Sequence, residues 1–559
     1  MAETVLAAPQ DTAGYATHEV YNQSGDLTGY DPYRGDKALN AAVEAFGADW
    51  ASDKIARAAR LVGSSEVQRL ARDANRFTPE HVSHDRFGNR IDQIELHPAW
   101  RQLMTYGFET ETHSLAWTTP RRGAHVARGP LSYLWNQGEN GICCPMGMTF
   151  SSIPLFRKLP EIADYWERRV LANAFDPRPL PAEQKSGLTV GMAMTEKQGG
   201  SDLRRTQTTA RPAGAQTGPG AKYLLTGHKW FFSVPQSDLF FTLAQTESGV
   251  SCFLARGWLE DGSRNRLQVQ RLKDKCGNKS NASSEVEFRD LEAVMVGEEG
   301  HGIRAGIEMN HLTRIDFAVG SAGLMRQALT QTIHHTSNRS AFQRRLVDLP
   351  LMRTVVADLA VESEAMMWLT MRLAATLDLE GEDEHERLLG RIATPMAKHW
   401  VCKRATGFVV EALECHGGNG FIENHLMARL YREAPLNGIW EGTSNVICLD
   451  VIRAIQREPA CVDAFLSEVR KAGGEPRLDR LVDELEPVLR DLPAQEAAAR
   501  WAVERMAYAL QASLLMRHST TEMAEAFLAS RLTGDRGGQF GGVRDLAAAE
   551  AIVDRARVG

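Results

Sequence analysis

Several signatures of common catalytic and binding sites are absent from this sequence of 559 residues. It contains no Cys-x-x-Cys and no His-Glu-x-x-His pair, and its eight cysteines are scattered. This spacing predicts reduced thiols, without structural disulfides and without a metal site. No glycine cluster has the G-x-G-x-x-G order, and no glycine loop ends in Gly-Lys-Ser or Gly-Lys-Thr. Nicotinamide and ATP chemistry therefore have little support.

Long apolar runs and an excess of positive charge are also absent. No uncharged apolar run reaches membrane-spanning length, and the first residues do not show a basic segment followed by an apolar core. We therefore expect a cytoplasmic protein without a membrane partner. The net charge of -7 argues against a globally basic nucleic-acid binder, although it does not exclude a local basic patch.

The chain is long enough for two to four domains, and its periodicity changes along its length. Residues 1–35 predict an irregular arm. Residues 36–185 have the apolar spacing of helices, whereas residues 186–298 consist of short β-branched or aromatic segments separated by Gly, Asn, Ser and Asp, which predicts an antiparallel β-domain. Helical periodicity returns over residues 299–455 and continues in a last segment, residues 456–559.

The segment at residues 191–202, GMAMTEKQGGSD, places small residues and hydroxyls where a strand is predicted to end in a glycine turn. Thr195 and Ser201 can donate hydrogen bonds, and Gly199 and Gly200 allow a ligand to approach the backbone closely. By itself the motif is more typical of an ordinary hairpin turn. Three later segments strengthen the ligand interpretation: TGHKWFFS at 226–233, HGGNGFIEN at 416–424 and IWEGTSN at 439–445.

The aromatic run in TGHKWFFS cannot lie in a single core, because successive side chains of a strand point to opposite faces. One face therefore needs another partner, although burial between sheet and helices stays open for Trp230. Arg339 begins a further segment, RSAF, and a planar guanidinium suits phosphate or adenine contacts.

Together with RLKDKCGNKSNASSEVEF at 271–288, PLMR at 350–353 and HEVYNQ at 18–23, these motifs resemble the acyl-CoA dehydrogenase superfamily. Within it they resemble the branch linked to the bacterial response to DNA alkylation. The resemblance covers nearly the whole chain and is weakest in the last hundred residues. It implies an α+β fold with an N-terminal helical domain, a central antiparallel β-domain, a C-terminal helical bundle and an additional C-terminal helical domain.

The resemblance also implies FAD as cofactor and a homotetramer, a dimer of dimers, in which the arm at 1–35 contributes to assembly. Arg339 and Phe342 would reach the cofactor of a neighbouring subunit. The implied FAD-binding residues are Met192, Met194, Thr195, Gly200, Ser201, Phe231, Phe232, Ser233, Arg339, Phe342, Gly417, Gly418, Ile439, Trp440, Thr443 and Asn445.

Glu441 is the implied catalytic base. Dehydrogenation of a saturated acyl thioester needs a base for the α-proton and a hydride acceptor for the β-hydrogen, which a carboxylate beside a flavin provides. A surface or helix-capping glutamate is the alternative, and a nitroalkane-oxidase-like branch would carry aspartate here. Arg314 matches a substrate-site arginine, whereas Asn310 and His311 stand where many members hold CoA. We therefore predict weak or vestigial activity on a small acyl-CoA or other hydrophobic substrate.

The last segment could carry a second function, because the resemblance implies binding of double-stranded DNA there and an association with the nucleoid. Arg453, Arg531 and Arg536 are the candidate DNA contacts, the last within the glycine-rich loop DRGGQFGG. A solvated helical face with an ordinary loop is the alternative. A metabolic short- or branched-chain acyl-CoA dehydrogenase or oxidase without DNA binding therefore remains the competing hypothesis.

Overall fold

A computed structural model describes residues 17–533 and 538–558 of the chain. Its first part is an extended arm that lies along a long helix of the same chain. The Tyr30 hydroxyl donates to the Gln327 side chain over 2.8 Å, and Asn22 exchanges two hydrogen bonds with the backbone of Ser340. The arm is thus anchored to its own chain over residues 22–30.

One unexpected element, a β-hairpin, interrupts the N-terminal helices in the sequence. The sequence HVSHDRFGNRIDQIE was interpreted only as part of a helical region, but it forms two antiparallel strands joined through an Asp85 turn. The elements are α1 Lys37–Ala45, α2 Ser52–Val62, α3 Ser65–Arg76, β1 Glu80–His84, β2 Arg90–Glu95, α4 Pro98–Glu109, α5 Leu115–Thr118, α6 Ala124–Gly138, α7 Asn140–Ser151, α8 Ile153–Phe156 and α9 Pro160–Val170.

The middle of the chain forms a β-domain, and within the described residues its sheet has seven strands in the order β3-β5-β4-β6-β7-β9-β8. Most pairs are antiparallel, as predicted, but β3 and β4 each pair with β6 in parallel. The strands are β3 Val190–Ala193, β4 Thr209–Pro212, β5 Lys222–Ser233, β6 Leu239–Thr246, β7 Gly249–Arg256, β8 Leu267–Leu272 and β9 Ser283–Val296.

The remainder of the described chain is helical apart from two short strands. The long helices α11, α12 and α13 pack against one another. The elements are α10 Gly302–Ala305, α11 Ile307–Asn338, β10 Ser340–Ala341, β11 Arg344–Arg345, α12 Pro350–Leu379, α13 Glu384–Glu414, α14 Gly418–Phe421, α15 Leu426–Glu433, α16 Ser444–Arg457, α17 Ala460–Arg470, α18 Pro476–Asp491, α19 Ala499–His518, α20 Thr521–Arg531 and α21 Leu546–Ala556.

The last helices do not build a core of their own. Helix α17 packs on α13, and α19 and α21 pack on α12, so that their buried side chains join the core formed by α6, α11, α12 and α13. Residues beyond 456 therefore extend the helical bundle. Among the residues that the structure describes, no helix is both long enough and apolar enough to cross a membrane.

Candidate functional site

The glycine turn after β3 is held by a buried carboxylate. Glu196 accepts hydrogen bonds from the backbone amides of Gln207 and Thr208 and from the Thr208 hydroxyl, and its carboxylate lies 2.8 Å from the buried Lys229 ammonium. This cation and the hydrogen bonds lower the pKa of Glu196 to about 2, although burial opposes them. Sequence reasoning assigned no role to Glu196, because the lysine that pairs with it lies 33 positions away on β5.

Within the turn, the predicted ligand-side residues stay accessible. Ser201 is exposed, Met194 and Thr195 are half-buried, and Gly199 has a φ of +138°. A side chain at Gly200 would meet the Thr195 hydroxyl at 2.5 Å, so only glycine fits there without displacing that hydroxyl. Ser201 of this turn is therefore accessible from solvent, and Thr195 and Gly200 are partly accessible.

Strand β5 places the three aromatic residues of TGHKWFFS in different surroundings. Phe231 is half-exposed, whereas Phe232 is fully buried and packs on Phe240 with ring centroids 4.8 Å apart. The interpretation of Phe232 as a flavin-side residue is therefore wrong: adjacent residues of a strand face opposite ways, and Phe232 takes the core face. Trp230 is half-buried, with the Lys273 ammonium 3.2 Å from its ring centroid.

The first two motifs meet directly in the sheet. Met192 of β3 stands opposite Ser233 of β5 in the antiparallel register. Met192 also belongs to a small apolar cluster with Cys144, Met148, Val234 and Trp440. The structure thus brings residues from three of the sequence motifs to one place between the β-domain and the helical bundle.

Glu441 lies next to this cluster with a left-handed backbone, at a φ of +54°. Such a conformation is uncommon for a residue with a side chain, and it persists only where its surroundings impose it. Here the buried Lys398 on α13 holds the backbone in this conformation. Its ammonium donates to the carbonyls of Trp440 at 2.8 Å and Gly442 at 2.5 Å. Lys398 was missed in the sequence, where a lysine within a long helix carries no signal.

Glu441 is partly buried, and the desolvation of its carboxyl raises its pKa. The positive charges of Arg314 and Lys398 and a hydrogen bond from Thr313 oppose that rise without cancelling it. Arg314 is itself fixed, since its Nη1 lies 2.6 Å from the Asp450 carboxylate. A carboxylate with a raised pKa beside two fixed cations is suited to accept and release a proton.

Trp440 forms one wall of the site. It stacks on Phe317 with ring centroids 4.7 Å apart and donates to the Asn437 carbonyl oxygen over 2.9 Å. Beyond it lies a cavity with a polar lining that includes Asn136, Asn140 and Glu433. Burial and the nearby Glu139 raise the pKa of Glu433 to about 7.

The other predicted cofactor residues lie at open positions. Phe342 is 88% exposed and Ile439 is 58% exposed, while Thr443 and Asn445 are exposed at the start of α16. Arg339 donates to the Asn22 carbonyl over 2.6 Å, so the arm reaches this predicted phosphate-binding arginine. Gly417, at a φ of +59°, and Gly418 both border open space.

These features fit a flat dinucleotide cofactor. Exposed apolar side chains such as Phe231 and Ile439 offer ring contacts, and the Thr443 side chain makes no capping hydrogen bond at the start of α16. Free backbone amides at a helix start attract phosphate groups. The residues present therefore suit FAD better than an isolated nucleobase or a sugar.

The predicted DNA contacts differ from one another in their exposure to solvent. Arg453 is exposed on α16. Arg531 is buried, with its Nη2 2.5 Å from Asp358 and 2.9 Å from Glu362. Its interpretation as a DNA contact is corrected, because both charges that neutralise it come from α12 and leave no accessible guanidinium. Arg536 lies outside the described residues.

A basic groove that sequence reasoning did not find lies between α13 and α19. Its lining includes Lys403, Arg404, Arg500 and Trp501, of which Lys403 and Arg500 are exposed and form no ion pair within the described chain. Trp501 is 41% exposed. The signal was hidden because Lys403 and Arg500 are 97 positions apart in the sequence.

A β-domain between two helical regions, with a glutamate beside an apolar and glycine-lined cleft, defines the acyl-CoA dehydrogenase class. Matches to family models agree: residues 22–177 match the adaptive response protein AidB N-terminal domain, residues 191–291 the acyl-CoA dehydrogenase middle domain, and residues 300–456 the acyl-CoA dehydrogenase C-terminal domain.

Individual relatives narrow the assignment. The chain is 41% identical over 516 residues to the putative acyl-CoA dehydrogenase AidB of Escherichia coli, which covers 92% of this chain and 94% of that protein. It is 28% identical over 500 residues to acyl-CoA dehydrogenase family member 11 of Caenorhabditis elegans, covering 86% and 79% of the two chains. The chain therefore belongs to the acyl-CoA dehydrogenase superfamily of FAD-dependent oxidoreductases and, within it, to the AidB type.

Solved structures share the fold. The crystal structure of Caenorhabditis elegans ACDH-11 in complex with C11-CoA is 25% identical, with a TM-score of 0.84 over 94% of this chain and 95% of that one. A Bacillus anthracis acyl-CoA dehydrogenase complexed with FAD is 17% identical, with a TM-score of 0.66 over 82% and 90%. The fold class and the FAD-dependent oxidoreductase class predicted from the motifs are confirmed.

Proposed function

We propose that this protein is an AidB-type flavoenzyme of the DNA alkylation response, which binds double-stranded DNA and retains weak dehydrogenase activity on a small acyl-CoA. Glu441 carries the enzymatic half of this proposal. It is a partly buried carboxylate whose unusual backbone conformation is imposed by Lys398, at the meeting point of the cofactor motifs. Nothing in an ordinary surface glutamate would require such an arrangement.

In the proposed reaction, the α-proton of the acyl thioester moves to the Glu441 carboxylate, and its C–H electron pair forms the new carbon–carbon double bond. FAD, when bound, supplies the acceptor for the hydride that leaves the β-carbon. Arg314 opposes protonation of Glu441 before the transfer, since its positive charge favours the carboxylate form. Lys398 fixes the backbone on both sides of the base and so keeps its carboxylate in reach of the substrate.

The residues proposed to hold FAD are those that stay accessible around this centre. Met192, Ser233 and Trp440 would meet the ring system, while Thr195, Ser201 and the start of α16 would meet the ribityl and phosphate groups. We propose Arg339 and Phe342 as contacts to the cofactor of a second subunit in a tetramer. The 88% exposure of Phe342 supports a partner at this point.

The polar cavity beyond Trp440 supports a small substrate. Asn136, Asn140 and Glu433 are buried and hydrogen-bonded within the chain, so a long alkyl chain would have to disrupt these contacts to enter, which is unfavourable. The ACDH-11 structure contains C11-CoA. For this chain we propose a shorter acyl group and slow turnover.

For DNA, the basic groove between α13 and α19 supports the proposal. Lys403 and Arg500 supply unpaired positive charge, and the exposed Trp501 ring can pack on sugar or base edges. Helix α16, which carries the exposed Arg453, packs against α19. Phosphate contacts of this kind attract DNA without reading its sequence.

One paired experiment tests both halves. Fluorescence anisotropy with a duplex at two salt concentrations should show affinity that falls steeply as salt rises. A parallel screen of short acyl-CoAs, isovaleryl-CoA included, should show slow flavin reduction. No duplex binding at low salt would leave the metabolic dehydrogenase or oxidase as the better assignment, and rapid steady-state turnover would contradict the weak activity.

A further inference from the structure

A second cavity, separate from the cofactor cleft, lies between the β1–β2 hairpin, α4 and the β-domain. Its volume is about 270 Å³. Its walls are largely apolar and include Ile94, Leu96, Trp100, Phe175, Trp258 and Leu267. None of the residues proposed to hold FAD lines it. One residue joins the two sites, because Val234 lines this cavity and also packs in the cluster that contains Met192 and Trp440.

Two side chains present unsatisfied polar atoms to this cavity. Trp100 is 2% exposed, and its indole Nε1 has no hydrogen-bond partner. Both side-chain amide atoms of Gln236 are likewise buried without a partner. Buried polar groups in folded proteins are nearly always hydrogen-bonded, because leaving one unpaired is costly. The unpaired indole N–H of Trp100 and the unpaired side-chain amide of Gln236 line the same cavity. Their unmet hydrogen-bonding capacity indicates that a ligand can bind there.

The charges around the cavity favour an anion. Lys185 pairs with Asp238, and Arg178 pairs with Asp176. Asp92 is engaged by His81 and Arg90. Each of these acids therefore already has a cationic partner within the described chain.

Arg264 has no such partner. Its Nη1 donates to the Ile91 carbonyl over 2.9 Å, its Nε has no partner, and it forms no ion pair within the described residues. Burial lowers the pKa of Arg264, and this cost is only partly offset by the more distant Asp92. The exposed Arg101 at the same cavity also forms no ion pair there. A largely desolvated guanidinium without a counter-ion is a site where a carboxylate would be stabilised.

We propose that this cavity binds a monocarboxylic acid with an apolar body. Its carboxylate pairs with Arg264, its chain or ring lies against Phe175, Trp258 and Leu267, and Trp100 and Gln236 complete the polar contacts. The volume of about 270 Å³ suits a small ligand of this kind, since it lies close to the lower end of the range of about 300–1,000 Å³ for small-molecule pockets. The proposal does not depend on the acyl-CoA chemistry of Glu441.

Calorimetric titration of the full-length, FAD-loaded protein with decanoate tests the proposal, and decyltrimethylammonium is the matched cationic probe. We expect decanoate to bind and the cation to bind at least tenfold more weakly. Arg264→Gln should weaken decanoate binding at least tenfold. Arg266→Gln, which changes an exposed arginine two positions away, should leave it unchanged.

Two further variants keep the test decisive if Arg264→Gln folds poorly. Trp100→Phe keeps an aromatic ring but removes the N–H donor, and Gln236→Leu removes the unpaired amide. Both should weaken decanoate binding severalfold, and Gln236→Leu should raise the melting temperature without ligand. Equal binding of the two probes, no binding of decanoate, or full affinity in all three cavity variants would overturn the proposal. Full affinity in the variants would place decanoate elsewhere, including the Glu441 cleft.

Discussion

Arg314 reaches from α11 to the catalytic loop and donates through its Nε to the Glu441 backbone carbonyl over 3.3 Å. The same guanidinium pairs with Asp450 through its other face. The residue whose charge opposes the burial-driven rise in the pKa of the proposed base therefore also contacts the backbone of that base. Electrostatic and geometric control of Glu441 are thus combined in a single side chain.

Replacement of the base tests its assignment directly. Glu441→Gln keeps the size of the side chain but cannot accept the α-proton, so flavin reduction by a short acyl-CoA should slow by about 10²–10⁴-fold. Stopped-flow flavin absorbance measures this rate, and the flavin spectrum of the variant should remain that of a loaded protein. Glu496→Gln, at an exposed position, is the control and should retain the full rate. Equal rates in both variants would remove Glu441 from the reaction.

The pH dependence of flavin reduction should follow Glu441. Because its pKa is raised by burial, the rate should rise with pH through a value above that of an ordinary glutamate. Arg314→Gln removes a positive charge that opposes the burial-driven increase in the pKa of Glu441. The pH at which the rate begins to rise should therefore move to a higher value. Arg391→Gln is the matched control, since Arg391 also pairs with Asp450 but is not among the groups that shift Glu441. The same displacement in both variants would contradict the assignment to Arg314.

The arginines of the last segment should separate into structural and DNA-binding residues. Arg531→Gln leaves Asp358 buried without a cation in the described chain, while Glu362 keeps Arg404, and the broken buried pair should lower the free energy of unfolding by about 3–5 kcal/mol. Chemical denaturation measures this loss. At temperatures where the variant stays folded, its duplex affinity should equal that of the parent protein.

Arg453→Gln and Arg500→Gln should do the opposite. Both positions are exposed, so stability should change little, but duplex affinity should fall and the slope of log K against log salt should decrease by about 1 for each lost contact. Anisotropy titrations at several salt concentrations give both quantities. A DNA defect confined to Arg531→Gln would reverse this division.

Glu196 gives a further test through acid stability. Its folded pKa is about 2, below the ordinary value of 4.5, so its contribution is complete above about pH 4.5 and is lost as the pH falls towards 2. Glu196→Gln should lower stability at neutral pH and flatten this part of the profile. Urea unfolding across the acid range measures both effects, and Glu247→Gln, an exposed position, is the control. An unchanged acid profile would show that Glu196 does not anchor the turn.

The predicted cofactor residues lie in short contiguous motifs, and the structure brings two of these motifs together. Met192 and Ser233 belong to separate motifs, yet both were assigned to one pocket, and the structure pairs them in the sheet. Strand alternation predicted that Phe231 and Phe232 point apart, but not which of them faces the core. That choice depends on packing against Phe240, which a local pattern does not contain.

Long-range pairing explains the other differences. The burial of Arg531 follows from Asp358 and Glu362, which lie on α12 about 170 positions earlier, so the residue looked like a surface cation. Lys398 and the basic groove were hidden for the same reason. The β1–β2 hairpin did have a local signal, because its DRFGN turn separates two segments with alternating polarity.

Because Phe231 and Phe232 point to opposite faces of β5, substitutions at these two neighbouring positions have different consequences. A substitution at 232 changes the packing density of the β-domain and is limited by volume. A substitution at 231 changes only what the cleft offers to its occupant. Adjacent codons are thus subject to separate selection, because the core of the β-domain limits position 232 whereas the surface of the proposed cofactor cleft limits position 231.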